Sequence, residues 1–160
     1  DGKVTTLAGG ERPGYQDGAA AAALFDTPMA VAVDALGNVW IADLRNHAIR
    51  KLATDGVVST LLSVAPGDGN TALRRPLGIA VTGDGMLYVS SLDCGCVSQV
   101  TRNGHLHVLT GVTRDTRLSR PAGLALDAAG VLHVADASSY RVYRVAPLPA
   151  ATTVPASVVT

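Results

Sequence analysis

Three prolines set the frame of this chain. Pro28, Pro76 and Pro121 stand 48 and 45 residues apart, and from each the register holds without a gap for about two dozen residues. Nine positions on stand Gly37, Gly85 and Gly130; twelve on, Trp40, Tyr88 and His133; fifteen on, Asp43, Ser91 and Asp136. Ile49, Val97 and Val142 follow at twenty-one, and Leu52, Val100 and Val145 three further. A period of this length marks a supersecondary unit that cannot bury its apolar surface alone and must stack on its neighbours.

The units read as strands. Ala30–Val33, Gly78–Val81 and Gly123–Leu126 alternate bulky Val31/Val33, Ile79/Val81 and Leu124/Leu126 with Ala32, Ala80 and Ala125. Period two is the β signature, and two apolar faces (one bulky, one small) suit a sheet sandwiched between two others. Turns follow at Asp34-Ala-Leu-Gly37, Thr82-Gly-Asp-Gly85 and Asp127-Ala-Ala-Gly130, with glycine free to take a positive φ. Second strands are expected at Val39–Ala42, Met86–Ser90 and Val131–Ala135, and third strands near His47–Leu52, Cys96–Thr101 and Arg141–Val145. Outer strands are expected at Val57–Leu62 and Leu106–Leu109.

This is the size and content of a four-stranded propeller blade. The predicted fold is all-β: a β-propeller segment of three blades, forming part of a six-bladed ring. Its divisions are an outer strand and short-helix connector over 1–27, blades over 28–75, 76–120 and 121–146 (the last incomplete), and a Pro/Thr/Val-rich tail over 147–160. Val4–Leu7 reads as a fourth-type strand with no blade before it. Asp17-Gly18 followed by five alanines predicts one or two helical turns, with Leu24 and Phe25 plugging the gap between blades. Pro155 weakens any strand in the tail.

Three blades cannot close a ring. Either the other blades lie elsewhere in a longer chain, or copies assemble, with Val4–Leu7 of one completing the third blade of the other. The opening Asp1-Gly2-Lys3-Val4 resembles neither a signal peptide nor an initiation site, so a processed chain or fragment is expected.

Composition narrows the classes further. Apolar residues make up 48% but aromatics only 4%, and there are 17 glycines, which favours short strands and close backbones over a helical bundle. Thirteen basic residues balance thirteen acidic ones, without the basic footprint of a nucleic-acid binder. No apolar run is long enough to span a bilayer. The compartment is left open.

Phe25-Asp-Thr-Pro28, Ala30-Val-Ala-Val-Asp34, Gly37-Asn38-Val39-Trp40-Ile41-Ala42-Asp43 and Asn46-His47-Ala48-Ile49-Arg50 resemble the consensus of NHL-repeat propellers through a whole blade. The lead-in Gly2–Gly9 and the Asp17-Gly18-Ala segment resemble it too. The second unit departs, with Ser90-Ser91-Leu92-Asp93-Cys94-Gly95-Cys96; the third keeps Ala135-Asp136 but has Ser139-Tyr140 for Asn46-His47. The resemblance implies half of a six-bladed scaffold for protein, peptide, carbohydrate or, in some members, RNA. Similar propellers include metal-dependent lactonases and lyases.

Asp43 and Asp136 end second strands, where a short carboxylate is expected to accept backbone hydrogen bonds from the next turn; the functional reading puts them at a mouth of the propeller. His47, Arg74, Arg75 and Tyr140 complete the candidate binding set, since tyrosine and arginine anchor interfaces. Cys94 and Cys96, one residue apart and on one side of a regular strand, form a strained redox pair, join His105 and His107 as a zinc set, or stand as inert or oxidised thiols in a divergent, slightly bulged loop, the reading preferred. No Gly-x-Ser-x-Gly elbow, His-Glu-x-x-His or phosphate loop is present, and neither a catalytic residue nor a cofactor is expected. The leading expectation is a non-enzymatic recognition or assembly scaffold, partnered by a second copy or by the missing half, and binding a protein or small ligand. The alternatives are part of a metal-dependent lactonase- or lyase-like propeller, or a purely structural self-assembling half-propeller.

Overall fold

The computed structural model describes residues 2–65, 67–110 and 118–145; the tail expected from residue 147 lies outside them. Three antiparallel sheets stack side by side. The first has the order β1 (Gly18–Ala19), β5 (Val57–Ser63), β4 (Ala48–Leu52), β3 (Val39–Asp43), β2 (Pro28–Val33). The second runs β6 (Pro76–Val81), β7 (Leu87–Ser91), β8 (Cys96–Val100), β9 (Leu106–Thr110). The third has β10 (Pro121–Leu126), β11 (Leu132–Asp136) and β12 (Arg141–Val145). Each is a blade whose first strand lies innermost: β2 packs beside β6, and β6 beside β10. The fold is that of a β-propeller arc.

The stacking follows one rule, readable from the alternation. Small residues of one blade receive the bulky row of the next. Ala30, Ala32, Trp40, Ala42 and Ile49 of the first blade meet Ile79, Val81, Leu87, Val89 and Val100 of the second. Ala80, Tyr88 and Val97 of the second meet Leu124, Leu126, Leu132 and Val134 of the third. Before the second and third frame prolines a plug enters the seam: Leu73 is fully buried between blades one and two, and Leu118 is buried between two and three.

The repeat is also written in the backbone. His47, Gly95 and Tyr140 hold φ of 50°, 58° and 58° at the same place in the three turns. Leu44, Leu92 and Ala137 each donate their N–H to the carbonyl of the residue before the strand proline, at 3.3, 3.1 and 3.0 Å.

Two expectations at the N-terminus are corrected. The Asp17–Leu24 stretch is not a helix. Gly18–Ala19 instead pairs with Val57–Val58 on the outer edge of the first blade, and Gln16 bridges Leu24. Alanine's helical preference yields to edge pairing and to the Arg50 guanidinium, which takes the Gln16 and Leu24 carbonyls at 2.8 and 3.1 Å. Val4–Leu7 forms no strand in the single chain: β1 already occupies the β5 edge, and Val4 and Leu7 are 93% and 69% exposed.

Candidate functional site

The two ends of the arc expose the two kinds of face that meet at the internal seams. On the first blade the bulky row lies open, with Met29, Val31 and Val33 at 49%, 62% and 61% exposure. On the third the small row lies open: Gly123, Ala125 and Ala135 are exposed, as is Val142. Residues 9–25 cover the outer part of the first face by wrapping the buried Arg50. That guanidinium meets Asp17 at 2.7 Å and Asp43 at 2.8 Å, with Tyr15 and Phe25 rings 4.8 and 5.1 Å away.

Between these ends the three inner strands enclose a groove of about 510 Å³. Met29–Val31, Leu77–Ile79 and Ala122–Leu124 wall it, and Arg120 brings a cation to its proline end. Gly78 explains the tight seam on one wall. A Cβ there would collide with the Ala122 carbonyl oxygen, and Ser90 Oγ accepts from Gly78 N at 2.8 Å while donating to Ala122 O at 3.4 Å.

Around the proline end lie most of the residues singled out from sequence, and most have structural work. Asp43 is fully buried; it accepts from Asp26 N, Asn46 Nδ2 and Arg50 Nη1, each at 2.8 Å. Asp136 accepts four backbone N–H groups, from Ser119 (2.6 Å), Arg120 (3.0 Å), Ser138 and Ser139 (3.1 Å each). Burial opposes its charge, but these bonds win and hold its carboxyl below the usual carboxylate range. The turn-capping expectation therefore describes Asp136; Asp43 draws instead on the preceding loop and on side chains.

His47 joins two blades, its Nδ1 accepting Arg75 N at 3.1 Å. Arg75 forms an ion pair with Asp93. Arg74 is half-buried, and its Nε has no hydrogen-bond partner among the described residues. Tyr140, at the His47 position, lies 94% exposed on the open face side.

The zinc set does not assemble. Cys94 and Cys96 are joined in a disulfide. His107 pairs with Gln99 at the far end of the β8–β9 ladder, where His105 is also exposed. Among the described residues no group of three or more His, Cys, Asp or Glu converges as a metal site.

The opposite end of the blades carries two equivalent contacts of the recurring Asp34 and Asp127. Asp34 accepts Trp40 Nε1 at 3.0 Å and Asn38 Nδ2 at 2.9 Å, and Asp127 contacts His133 Nε2 at 3.1 Å. Burial opposes ionisation of Asp34, but the Asn38 and Trp40 bonds lower its pKa. For Asp127 the Val131 N–H leads and His133 adds to it. The six-residue spacing was the available signal. Two further polar residues of the repeats divide: Arg50 is fully buried at the centre of the N-terminal wrap, and Arg120 is exposed beside the groove.

No protein-family model matches the sequence, and no curated protein matches it. Among solved structures, a gluconolactonase from Xanthomonas campestris aligns with 21% identity and a TM-score of 0.63, over 77% of this chain and 45% of its own. Virginiamycin B lyase from Staphylococcus aureus aligns with 16% identity and a TM-score of 0.54, over 76% and 41%. A streptogramin B lyase gives 16% and 0.56, over 73% and 39%. The chain spans less than half the length of these structures, and the likeness establishes the propeller fold.

Proposed function

We propose that this chain is one half of a six-bladed, lyase- or lactonase-like propeller whose central groove takes a small molecule. The observation that carries it is the groove itself: the three inner strands leave about 510 Å³ between mainly apolar walls beside the Arg120 cation. Concave, mainly apolar walls with one convergent polar group suit a compact ligand bearing a carbonyl or carboxylate. The similar solved structures are named as lyases and a gluconolactonase, which supports the enzyme reading. A second copy, laying its third blade on the first blade of its partner, closes the ring and supplies the opposite wall.

A second reading, recognition without turnover, is favoured by Asp43 and Asp136. The recurring carboxylates at this mouth are already consumed by backbone and side-chain hydrogen bonds. The NHL-like pattern in the first blade suits that scaffold. Incubation with a panel of lactones and with virginiamycin B, with and without divalent cations, separates the two. The proposal expects ring opening that Arg120→Ala abolishes. Binding that depends on Arg120 without any product would establish the recognition reading, and no binding at all would overturn both.

A further inference from the structure

The equivalent turns of the three blades are held in different ways. In blades one and three a carboxylate ends the second strand and gathers N–H groups from the loop before the strand proline: Asp43 takes Asp26 N, and Asp136 takes Ser119 N and Arg120 N. In blade two that position is Ser91, which is fully buried with an Oγ lacking any partner among the described residues. The loop N–H groups go elsewhere, Arg74 N to Thr71 O and Arg75 N to His47 Nδ1, both at 3.1 Å. Cys94 then stands where blade one has Asn46, the residue that ties its turn to Asp43. Cys96 stands where blade one has Ala48.

We propose that the Cys94–Cys96 disulfide is a redox-cleavable clamp, replacing in blade two the carboxylate network that holds this turn in the other blades. The clamp sits beside both blade seams. Its turn carries Asp93, the ion-pair partner of Arg75. It also accepts Leu118 N on the Gly95 carbonyl at 3.0 Å, fixing the plug of the next seam.

Cys94 is partly exposed and Cys96 is 1% exposed. A thiolate of a dithiol reductant therefore attacks Cys94 Sγ, and Cys96 Sγ leaves as a thiolate and takes a proton. The second thiol of the reductant displaces Cys94 Sγ, which is also protonated. Two electrons and two protons pass to the cysteines, and the reductant becomes a cyclic disulfide. Both new thiols find acceptors in place: Ser91 O lies 3.7 Å from Cys94 Sγ, and Ala72 O lies 4.0 Å from Cys96 Sγ.

The test compares the purified chain before and after dithiothreitol, following alkylated mass, melting and amide exchange. The expected result is no alkylation before reduction and two alkylated cysteines after it. Tm then falls by about 3–6 °C, with faster exchange at Leu92 and Leu118. The triple variant Ser91→Asp, Cys94→Asn, Cys96→Ala, which restores the carboxylate turn, should be insensitive to reductant. Two free thiols before reduction, or full reduction with unchanged melting and exchange, would overturn the proposal whether or not the triple variant folds.

Discussion

Arg50 Nη1 donates to Asp43 Oδ2 at 2.8 Å with both side chains fully buried, and the same guanidinium ties the N-terminal wrap to the first blade through Asp17 and the Gln16 and Leu24 carbonyls. A buried pair is costly to break because the survivor keeps an uncompensated charge. Arg50→Met is therefore expected to lower unfolding free energy by about 3–5 kcal/mol, measured in urea. Adding Asp43→Asn should recover part of that loss, giving a double-variant cost below the sum of the singles.

Gly78 sets the distance between the second and third inner strands. With the Ala122 carbonyl against the place of a Cβ, Gly78→Ala must push the strands apart. The expected cost is about 1–3 kcal/mol, the range for overpacking a tight seam. Gly130→Ala gives the control for backbone strain alone, since its positive φ of 77° is unfavourable but nothing lies near its Cβ. Thermal melts that rank the pair the other way would show the seam to be loose.

Of the four non-glycine αL residues among the described residues, the two at the repeated turn position, His47 and Tyr140, should respond oppositely to glycine. Tyr140 is exposed at φ 58°, so Tyr140→Gly removes strain and raises stability by up to about 1 kcal/mol, after the added unfolded-state entropy. His47→Gly also relaxes φ, but it deletes the Nδ1 acceptor of Arg75 N. It should destabilise, and paired unfolding curves decide the sign of each.

Acid should loosen the third blade through Asp136. Its folded pKa is depressed, so its stabilising contribution is present above the unfolded value near 3.9 and is lost as pH falls through the folded value. Melting between pH 5 and 2 should show Asp136→Asn flattening the acid limb while lowering stability at neutral pH. An unchanged limb would mean that another carboxylate governs it.

Much of this fold is legible in the sequence because each blade repeats the same physics. Bulky–small alternation forces sandwiching, and Gly37, Gly85 and Gly130 mark hairpins in register. What escaped was what does not repeat. Arg50 has Ser98 and Tyr143 at its equivalent positions, and its partner Asp17 lies in a segment whose alanines favour a helix on propensity alone. Only the tertiary wrap, with Gln16 and Leu24 carbonyls turned onto the guanidinium, reverses that preference. The groove's walls stand in register, Met29, Leu77 and Ala122 each following a frame proline, but the cavity between them and the place of Arg120 beside it exist only when the blades stack.

The prolines that framed the repeat thus frame an open arc, with Val31 and Val33 at one end and Ala125 and Val142 at the other awaiting the same contact. Size-exclusion chromatography with light scattering measures this directly. Closure by a second copy gives twice the chain mass, with a shift toward monomer when Val31→Lys charges the open face. A well-folded monomer at all concentrations, its amides protected and both faces in water, would contradict it.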